Sequence, residues 1–254
     1  MLTKQRKQRK QHILGKLRRD GQIVATSLSV ELGLSEDTIR RDLRALAAQG
    51  LLQRVHGGAL PASPALADFA TRSTLQSSGK LAIARAAANM VRSGQVIFVD
   101  GGTTCQKMAE LLPSDLKATV VTHSPTIAVA LVSHPHVQVV LIGGLLYKHS
   151  VVAVGAAALE AISRVHADVY FMGASGIHVH SGLCTGDLEE AHVKRALMAQ
   201  AAQTWVLASA EKLNAASPYV IAPCTAAKGI IVERGTSAHD TAAFEAIGLA
   251  VVIA

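Results

Sequence analysis

The sequence has few cysteines, few aromatic residues and no long apolar run. Its three cysteines, Cys105, Cys184 and Cys224, form no CxxC pair and are odd in number. This argues against a disulfide framework and a cysteine-built zinc site, and favours a reduced cytoplasmic setting. Aromatic residues make up 3% of the chain, so the core must be aliphatic, as in proteins built from helices and parallel strands. Because no apolar run reaches the roughly 18 residues of a spanning helix, we expect neither a membrane span nor a secretory signal.

Positive charge is concentrated in the first quarter of the chain. Residues 1–60 hold twelve Lys and Arg but five acids, so the whole formal net charge of +7 lies there and the remainder is neutral. A basic module on a neutral body is typical of nucleic-acid binding. Composition alone leaves a basic tail on an enzyme as the alternative.

Helical periodicity in the first sixty residues predicts three helices. The first ends near Gly21, and a second, capped by Thr26 or Ser27, runs to Leu32. Ser35 is the expected cap of the third. The segment LLQRVHGGAL then predicts a β-hairpin. Together these elements form a winged helix-turn-helix.

The third predicted helix has two distinct faces. Ile39, Leu43 and Leu46 share one face and are expected to be buried. The opposite face and its flanks carry Thr38, Arg40, Arg41 and Arg44, and the hairpin adds Arg54 and His56.

Residues 35–59, SEDTIRRDLRALAAQGLLQRVHGGA, resemble the winged helix of the DeoR (deoxyribose-operon repressor) family of bacterial regulators, including its IRRDL and RVHGG signatures. The resemblance implies that the third helix enters the major groove of a double-stranded DNA operator while the wing touches the backbone or minor groove. Arginine suits this role because its planar fork can bond guanine or grip phosphate. The residues assigned to DNA are Thr38, Arg40, Arg41, Arg44, Arg54 and His56. Arg40 or Asp42 could instead pair inside the domain.

The composition predicts a division into a DNA-binding domain (residues 1–60), a linker (61–79) and a sensor domain (80–254). The linker contains two prolines and several serines. Within it, Phe69 and Arg72 are candidates to dock onto a neighbouring element.

The long C-terminal part alternates between strand and helix patterns. Strands are expected at residues 96–100, 118–122, 137–142, 168–174, 205–209, 229–233 and 249–253. A helix is expected before the first strand and in each gap up to residues 205–209. This alternation predicts an α/β fold with a mostly parallel sheet.

Glycine and hydroxyl residues follow several of these strands. The turn DGGTT, residues 100–104, offers backbone N–H groups and two hydroxyls at a helix start, which suits an anionic phosphate. Its spacing is neither that of a dinucleotide fold nor that of a P-loop. A simple tight turn remains the alternative.

This half resembles the DeoR-family sensor domain, whose fold is similar to ribose phosphate isomerase, through DGGTT, VVTHSPTIA, LIGG, FMGASGI, GLCTGDLEEAHVKRAL and VLASAEKL. The resemblance implies that Asp100, Gly102, Thr103 and Thr104 hold a phosphate. The other residues assigned to the effector are His123, Ser124, Ser175, Glu189, Lys194 and Lys212. Four positions depart from the family pattern: His123 replaces asparagine, Ser175 and Ser209 replace aspartate, and Gly186 replaces proline. The ligand is therefore expected to differ from that of a typical member.

A sugar-phosphate isomerase or deaminase with an accessory basic domain is the alternative function. Such chemistry needs a positioned general base, and Val193 stands where, by resemblance, the isomerases have a glutamate. A metal site would rest on His178 and His180 or on His134 and His136, but no third ligand of fitting spacing is evident. We therefore expect no catalytic residue, metal or cofactor.

The resemblance implies a sequence-specific transcriptional regulator. The expected function is repression of a carbohydrate-metabolism operon, relieved by a phosphorylated sugar in the sensor domain. We also expect a homo-oligomer, because one winged helix buries too little surface for tight operator binding.

Overall fold

The N-terminal unit is a three-helix bundle with a small antiparallel sheet. The computed structural model describes residues 2–63, 68–74 and 78–254. The elements of this unit are α1 (Leu2–Asp20), β1 (Ile23–Val24), α2 (Ala25–Leu32), α3 (Glu36–Ala47), β2 (Gln53–Val55) and β3 (Gly58–Leu60). The strand order is β1-β3-β2. Its core includes Ile39, Leu43 and Leu46, the face of α3 that the periodicity predicts.

The ends of these helices follow local chemistry. Ser35 caps α3, its Oγ accepting the Thr38 N–H at 3.3 Å, as predicted. The prediction that Thr26 or Ser27 caps α2 is wrong, because α2 begins after the extended Val24 with no side-chain cap. The Ala25 N–H donates instead to the Gly57 carbonyl at 2.8 Å. A carbonyl of the wing thus accepts one of the N–H groups that have no partner within the first turn of α2.

Glycine at position 58 is a packing requirement. A Cβ built there would lie 1.7 Å from the Ile23 carbonyl oxygen, because β1 runs directly against β3. The His-Gly-Gly turn is thus needed for the wing to close on the rest of the unit.

The C-terminal unit is an α/β domain around a seven-stranded parallel sheet. In sheet order the strands are β15 (Ala250–Ile253), β14 (Gly229–Val232), β12 (Ala201–Ala208), β9 (Ala167–Gly173), β4 (Val96–Val99), β5 (Thr119–Thr122) and β6 (Gln138–Leu141). The helices are α4 (Phe69–Thr74), α5 (Ser78–Ala88), α6 (Thr103–Glu110), α7 (Pro125–Ala130), α8 (Ala156–Ile162), α9 (Leu188–Ala199) and α10 (Ala238–Ala246). The α/β fold with its parallel sheet is confirmed.

Several shorter elements were not predicted. They are helix α4 inside the predicted linker, the hairpin of β7 (Leu145–Tyr147) and β8 (Val152–Val154), the small sheet of β10 (Gly176–His178), β11 (Gly182–Thr185) and β13 (Tyr219–Ala222), and helix α10. The strands have three or four residues each, too few for a clear period.

The inner strands of the sheet are buried on both faces. Neighbouring residues of β14 enter different clusters, Ile230 on one face and Ile231 on the other. In β9, Tyr170 and Phe171 divide in the same way. Such double burial explains why the strands read as continuous apolar runs.

The strand order reverses between β4 and β9. From β4 the chain proceeds to β5 and β6 on one side, while β9, β12, β14 and β15 follow on the other. A crevice opens at the carboxyl ends of strands at such a switch point. The functional residues are therefore expected after β4 and β9.

The segment after the wing is docked on the sensor domain. Ala62 forms a parallel bridge with Ala216, and the Ser63 hydroxyl donates to the Ser175 carbonyl. Leu60 packs against Cys184 and Ala216. The described parts of the predicted linker thus contact the sensor domain, and α5 begins at Ser78, inside that linker.

None of the helices in the described ranges is long and apolar enough to cross a membrane.

Candidate functional site

The outer face of α3 presents three arginines to solvent. Arg40 donates to Glu36 at 2.7 Å and Arg41 to Asp37 at 2.5 Å, each one helical turn away. The Arg44 guanidinium lies 3.9 Å from Asp37. All five side chains are well exposed, so these pairs are weak and can be exchanged for another anion.

Asp42 is the buried exception on this helix. It pairs inside the domain with Arg9 and with Arg6, the latter at 3.5 Å. Two arginines of the basic N-terminal run thus tie α1 to α3. Arg40 pairs only within α3, so it stays at the surface.

The remaining predicted DNA contacts lie beside α3 or on the wing. Thr38 is half-buried and its hydroxyl lies 3.0 Å from that of Ser35. Arg54 on β2 and His56 in the turn are exposed. The structure therefore leaves the arginine-rich face of α3 open to a large anionic partner, whereas Arg54 and His56 also border a cavity shared with residues 178–182.

A cavity of about 300 Å³ opens at the switch point of the sheet. Its wall includes residues 101–105, which follow β4, and residues 173–175, which follow β9. Basic side chains from four elements converge on it, namely Arg72, Lys80, Lys194 and Lys212. Two acids, Glu190 and Glu211, complete the charged lining. The wall holds more cations than anions, which favours an anionic ligand.

The start of α6 forms one side of the cavity. Gly102 occupies the cap position with φ +104°, a conformation that favours glycine, and no side chain caps the helix. The first N–H groups of α6 and the hydroxyls of Thr103 and Thr104 therefore remain available beside the cavity. This arrangement suits a phosphate.

Arg72 reaches the cavity from α4, outside the sheet. The backbone of Phe69 anchors α4 by donating to the His149 carbonyl at 2.8 Å, and Asp68 accepts the Thr71 N–H at 2.8 Å. The Nε of Arg72 is buried without a hydrogen-bond partner in the described chain. Burial lowers the pKa of this guanidinium. An unpartnered buried donor of this kind calls for an acceptor.

Asp100 is the centre of a buried charged cluster beneath the cavity. Its carboxylate accepts from His123 Nε2 at 2.9 Å and from the Gly101 and Gly173 amides at 2.9 and 2.8 Å. Lys194 Nζ bonds it as well, and also lies 3.5 Å from Glu190. Two side chains and two backbone amides thus converge on one carboxylate.

The charges of this cluster stabilise one another. Burial opposes ionisation of Asp100, but the charge of Lys194 and the hydrogen bond from His123 outweigh it and hold the pKa well below its usual range. Burial likewise opposes the charged form of Lys194, yet the charges of Asp100 and Glu190 raise its pKa. Both groups are therefore ionised at neutral pH.

Lys212 differs from Lys194 in lacking such compensation. It is buried, and this desolvation lowers its pKa to about 8 although Glu211 acts in the opposite sense. Its charge thus becomes sensitive to pH near neutrality.

Six of the ten residues predicted for the effector line the cavity: Gly102, Thr103, Thr104, Ser175, Lys194 and Lys212. Asp100, His123 and Ser124 lie beneath it, fully buried. Asp100 and His123 are hydrogen-bonded to each other, and the Ser124 hydroxyl donates to the Val151 carbonyl at 3.1 Å. They shape the wall without facing its interior.

Glu189 does not line the cavity, because helix phase turns it to solvent. Asp187 caps α9 by accepting the Glu190 N–H at 2.9 Å, which directs Glu190 inward. Glu190 also accepts from the Thr185 hydroxyl at 2.7 Å. The assignment of Glu189 to the pocket is corrected to Glu190.

Arg72, Lys80 and Glu211 were not predicted as site residues. Arg72 had been noted only as a docking residue of the linker. Glu211 lies two positions after Ser209, whose hydroxyl donates to it at 2.7 Å. The carboxylate missing at position 209 is thus matched by one at position 211, a signal present in the sequence block VLASAEKL.

One histidine of each pair has a structural role. His134 bonds the Pro113 carbonyl at 2.9 Å and accepts the Val137 N–H at 3.2 Å. His178 accepts the N–H groups of His180 and Ser181, each at 3.2 Å. Within the described residues no group of three or more His, Cys, Asp or Glu could hold a metal ion.

Known proteins resemble this chain over most of its length. It is 34% identical to the HTH-type transcriptional regulator GlpR of Haloferax volcanii over 92% of this chain and 91% of that one. The glycerol-3-phosphate regulon repressor of Escherichia coli K12 is 33% identical over 75% and 76% of the two chains. Ribose 5-phosphate isomerase A from Methanocaldococcus jannaschii is similar in structure over 52% of each chain, at 17% identity and a TM-score of 0.39. That last likeness is too distant to support an argument about function.

Two family profiles match in succession. The DeoR-like helix-turn-helix domain matches residues 9–64 and the DeoR C-terminal sensor domain matches residues 75–234. These two matches cover the winged helix and most of the sheet and of the cavity lining. The chain therefore belongs to the DeoR family of transcriptional regulators.

Proposed function

We propose that the protein represses a carbohydrate-metabolism operon and releases its operator when a phosphorylated sugar binds the cavity of the sensor domain. The observation that carries this proposal is the convergence of Arg72, Lys80 and Lys212 on the uncapped start of α6. A glycerol-3-phosphate regulon repressor among the relatives is consistent with a phosphorylated effector.

The phosphate of the effector would lie over Gly102 and Thr103. Backbone N–H groups at a helix start and a nearby guanidinium are typical partners of a phosphate dianion. Arg72 would supply the donor that the free protein leaves unpartnered. Ligand binding would therefore satisfy a buried polar group as well as neutralise charge.

The hydroxyl groups of the sugar would lie toward the acids of the cavity. Glu211 is the best candidate to accept a sugar hydroxyl, since it lines the cavity and the Ser209 hydroxyl engages only one of its two oxygens. Glu190 is less available because Thr185 and Lys194 already engage its two oxygens. A ligand with few hydroxyls fits this balance.

We propose that the cavity senses its ligand rather than converting it. A sugar-phosphate isomerase needs a positioned general base. Val193 is fully buried and apolar, and Glu190 is held in an ion pair. The carboxylate of Asp100 is surrounded by donors beneath the wall. These restraints favour binding over proton transfer.

The wing and the cavity wall share a direct connection that can carry the signal. Ser175 lines the cavity, and its carbonyl accepts the hydroxyl of Ser63, three residues after β3. Arg72 approaches the same cavity from the segment that follows. A ligand that draws Arg72 inward would therefore bias the placement of the winged helix through differential affinity for two states.

The active form would be a homo-oligomer that acts on DNA in the cytoplasm. Paired winged helices can read two half-sites of a duplex, which one head alone cannot bind tightly. Arg40, Arg41 and Arg44 would enter the major groove with Thr38, while Arg54 and His56 would contact the backbone or minor groove.

Fluorescence anisotropy on a duplex from the upstream region of the gene tests this function. We expect specific binding that weakens steeply with salt and is released by one sugar phosphate but not by its dephosphorylated sugar. Specific DNA binding without any response to the panel would contradict the effector assignment. Absence of specific DNA binding would overturn the regulator, and turnover of a panel member would support the enzyme.

A further inference from the structure

The two edges of the parallel sheet differ in how they meet solvent. In β15 three of the four residues are partly buried and only Ile253 is exposed. In β6 all four residues, Gln138–Leu141, are exposed on both faces of the sheet. In the part of the chain that the structure describes, β5 is the only strand paired with β6.

Apolar side chains surround this open edge. Seven of them are between 36% and 81% exposed: Val129, Val132, Val139, Val140, Leu141, Leu145 and Leu146. They come from α7 and the turn after it, from β6, and from β7. Between Val137 and Tyr147 the sequence contains no charged residue. We call these seven side chains the β6 patch.

A free edge of this kind is unusual in a monomer. Natural proteins protect an edge strand with lysine, proline, a bulge or a covering element, and β6 has no lysine or proline and runs in regular register with β5. Helix α7 has only six residues and leaves Val129 and Val132 exposed beside it. The patch exposes on the order of 600 Å² per copy, the upper limit for a typical monomer and close to the ~800 Å² per partner of a stable complex.

We propose that the β6 patch is the interface with a second copy of this chain, in which β6 pairs antiparallel with β6 of the partner across a twofold axis. An edge strand is self-complementary in this arrangement, because each outer N–H meets an outer C=O of the partner strand. An uncharged patch does not attract a nucleic acid or a charged peptide. It also does not repel an identical surface on a second copy. The proposal rests on the proposed homo-oligomer and names its surface.

A charge placed at the centre of the patch tests the interface. Val140→Lys should halve the mass measured by light scattering after gel filtration, since the pairing would bury a lysine on each copy. Ile253→Lys, on the opposite edge of the same sheet, is the matched control and should keep the wild-type mass. Thermal stabilisation by a sugar phosphate should persist in both variants, which separates assembly from the effector site.

Cross-linking tests the same pairing without disturbing it. The three native cysteines are buried, so Val140→Cys provides a single accessible thiol on each chain. A short bis-maleimide should join two copies of this variant, whereas Ile253→Cys should remain unlinked. The wild type could be an oligomer while Val140→Cys stays unlinked and Val140→Lys keeps the wild-type mass. This result would overturn the assignment of the interface to the β6 patch but not the proposed oligomer. A wild type that is monomeric at micromolar concentration would overturn the patch and the proposed oligomer, leaving the DNA and effector assignments to their own tests.

Discussion

In the winged helix, the arginines of α3 lie on its outside and, among the described residues, pair with exposed acids of the same helix. Beneath the cavity of the sensor domain, by contrast, Lys194 lies inside and is held by the buried carboxylate of Asp100. Arg41 and Asp37 can separate at little cost because water solvates both. Lys194 and Asp100 cannot, because neither would find water in the core.

This contrast shows that net charge reveals one kind of binding site and conceals the other. The excess of positive charge in residues 1–60 identifies the surface meant for a polyanion. The remaining residues are neutral in sum, yet they contribute three cavity lysines besides Arg72. A site of a few cations is too small to change the net charge of a whole domain, so composition cannot indicate it.

The largest expected effect comes from breaking the buried pair. Lys194→Met should lower the free energy of unfolding by about 3–5 kcal/mol, because it leaves Asp100 charged and partly uncompensated in the core. Urea denaturation measures this loss. Arg41→Ala, at the exposed pair, is the control and should stay within about 0.5 kcal/mol of wild type. Equal losses of stability at both positions would show that burial does not distinguish the two ion pairs.

Removing the unpartnered arginine should separate ligand binding from stability. Arg72→Met should weaken binding of the sugar phosphate by about 10–100-fold, as expected for a charge-assisted hydrogen bond. The unfolding free energy without ligand should not fall, because the buried Nε has no partner to lose. Calorimetry measures the affinity for the sugar phosphate, and thermal denaturation measures the stability of the free protein. Arg164→Met, which removes an exposed arginine of the same domain, should leave both unchanged.

In the winged helix, Arg41→Ala should weaken operator binding by about 10–100-fold, corresponding to about 1–3 kcal/mol for a base-reading arginine. Anisotropy at several salt concentrations measures the loss. Stabilisation by the sugar phosphate should be retained, and Arg85→Ala in α5 should bind DNA normally. Simultaneous loss of both activities would contradict the separation into two sites.

The depressed pKa of Lys212 predicts a pH dependence that exposed arginines lack. The free protein releases this proton as pH rises through about 8, so affinity for the phosphate dianion should fall over that interval. Between about 8 and the ordinary value of 10.5 the unfolded chain alone keeps the proton, so this group's contribution to stability rises with pH there. Titrations from pH 7 to 9 should become flatter in Lys212→Met. A wild-type affinity that is constant over this range would refute the role of Lys212.

The smallest effect should follow from releasing the surface arginines. Asp37→Ala removes the partner of Arg41 and a negative charge facing the DNA, so operator affinity should rise by about two- to five-fold. Stability should change by less than about 0.5 kcal/mol. Glu160→Ala, which breaks a similar exposed pair in α8, should not alter DNA binding. Weaker binding by Asp37→Ala would assign Asp37 itself to the recognition of a base.

The fold could be predicted largely because its signals are local. The seven sheet strands are continuous apolar runs, and the buried face of α3 follows from a period of 3.6 residues. Ser35 is recognisable as a cap because its partner, Thr38, is three residues away. Short strands such as β7 and β10 carry no such pattern and were missed.

Only the part of the effector cavity that a single loop forms could be predicted from the sequence. The DGGTT turn indicates the right edge of the sheet, but the direction of Asp100 depends on His123, Gly173 and Lys194, which are 23, 73 and 94 positions away. Arg72 enters from a segment whose composition predicts a linker. Glu190 rather than Glu189 faces the cavity because Asp187 sets the phase of α9.

The short connection between β3 and Ser63 has a consequence for geometry on DNA. Only Pro61 and Ala62 separate the wing from the hydroxyl that holds the cavity wall, so the winged helix cannot swing freely on its sensor domain. In the proposed mechanism, the winged helix would turn as a rigid body about this contact with the cavity wall. Half-sites on a duplex recur about every 34 Å, once per helical turn. A slight tilt at the contact with the cavity wall would put two heads out of phase with the grooves, so the operator could be released with no element unfolding.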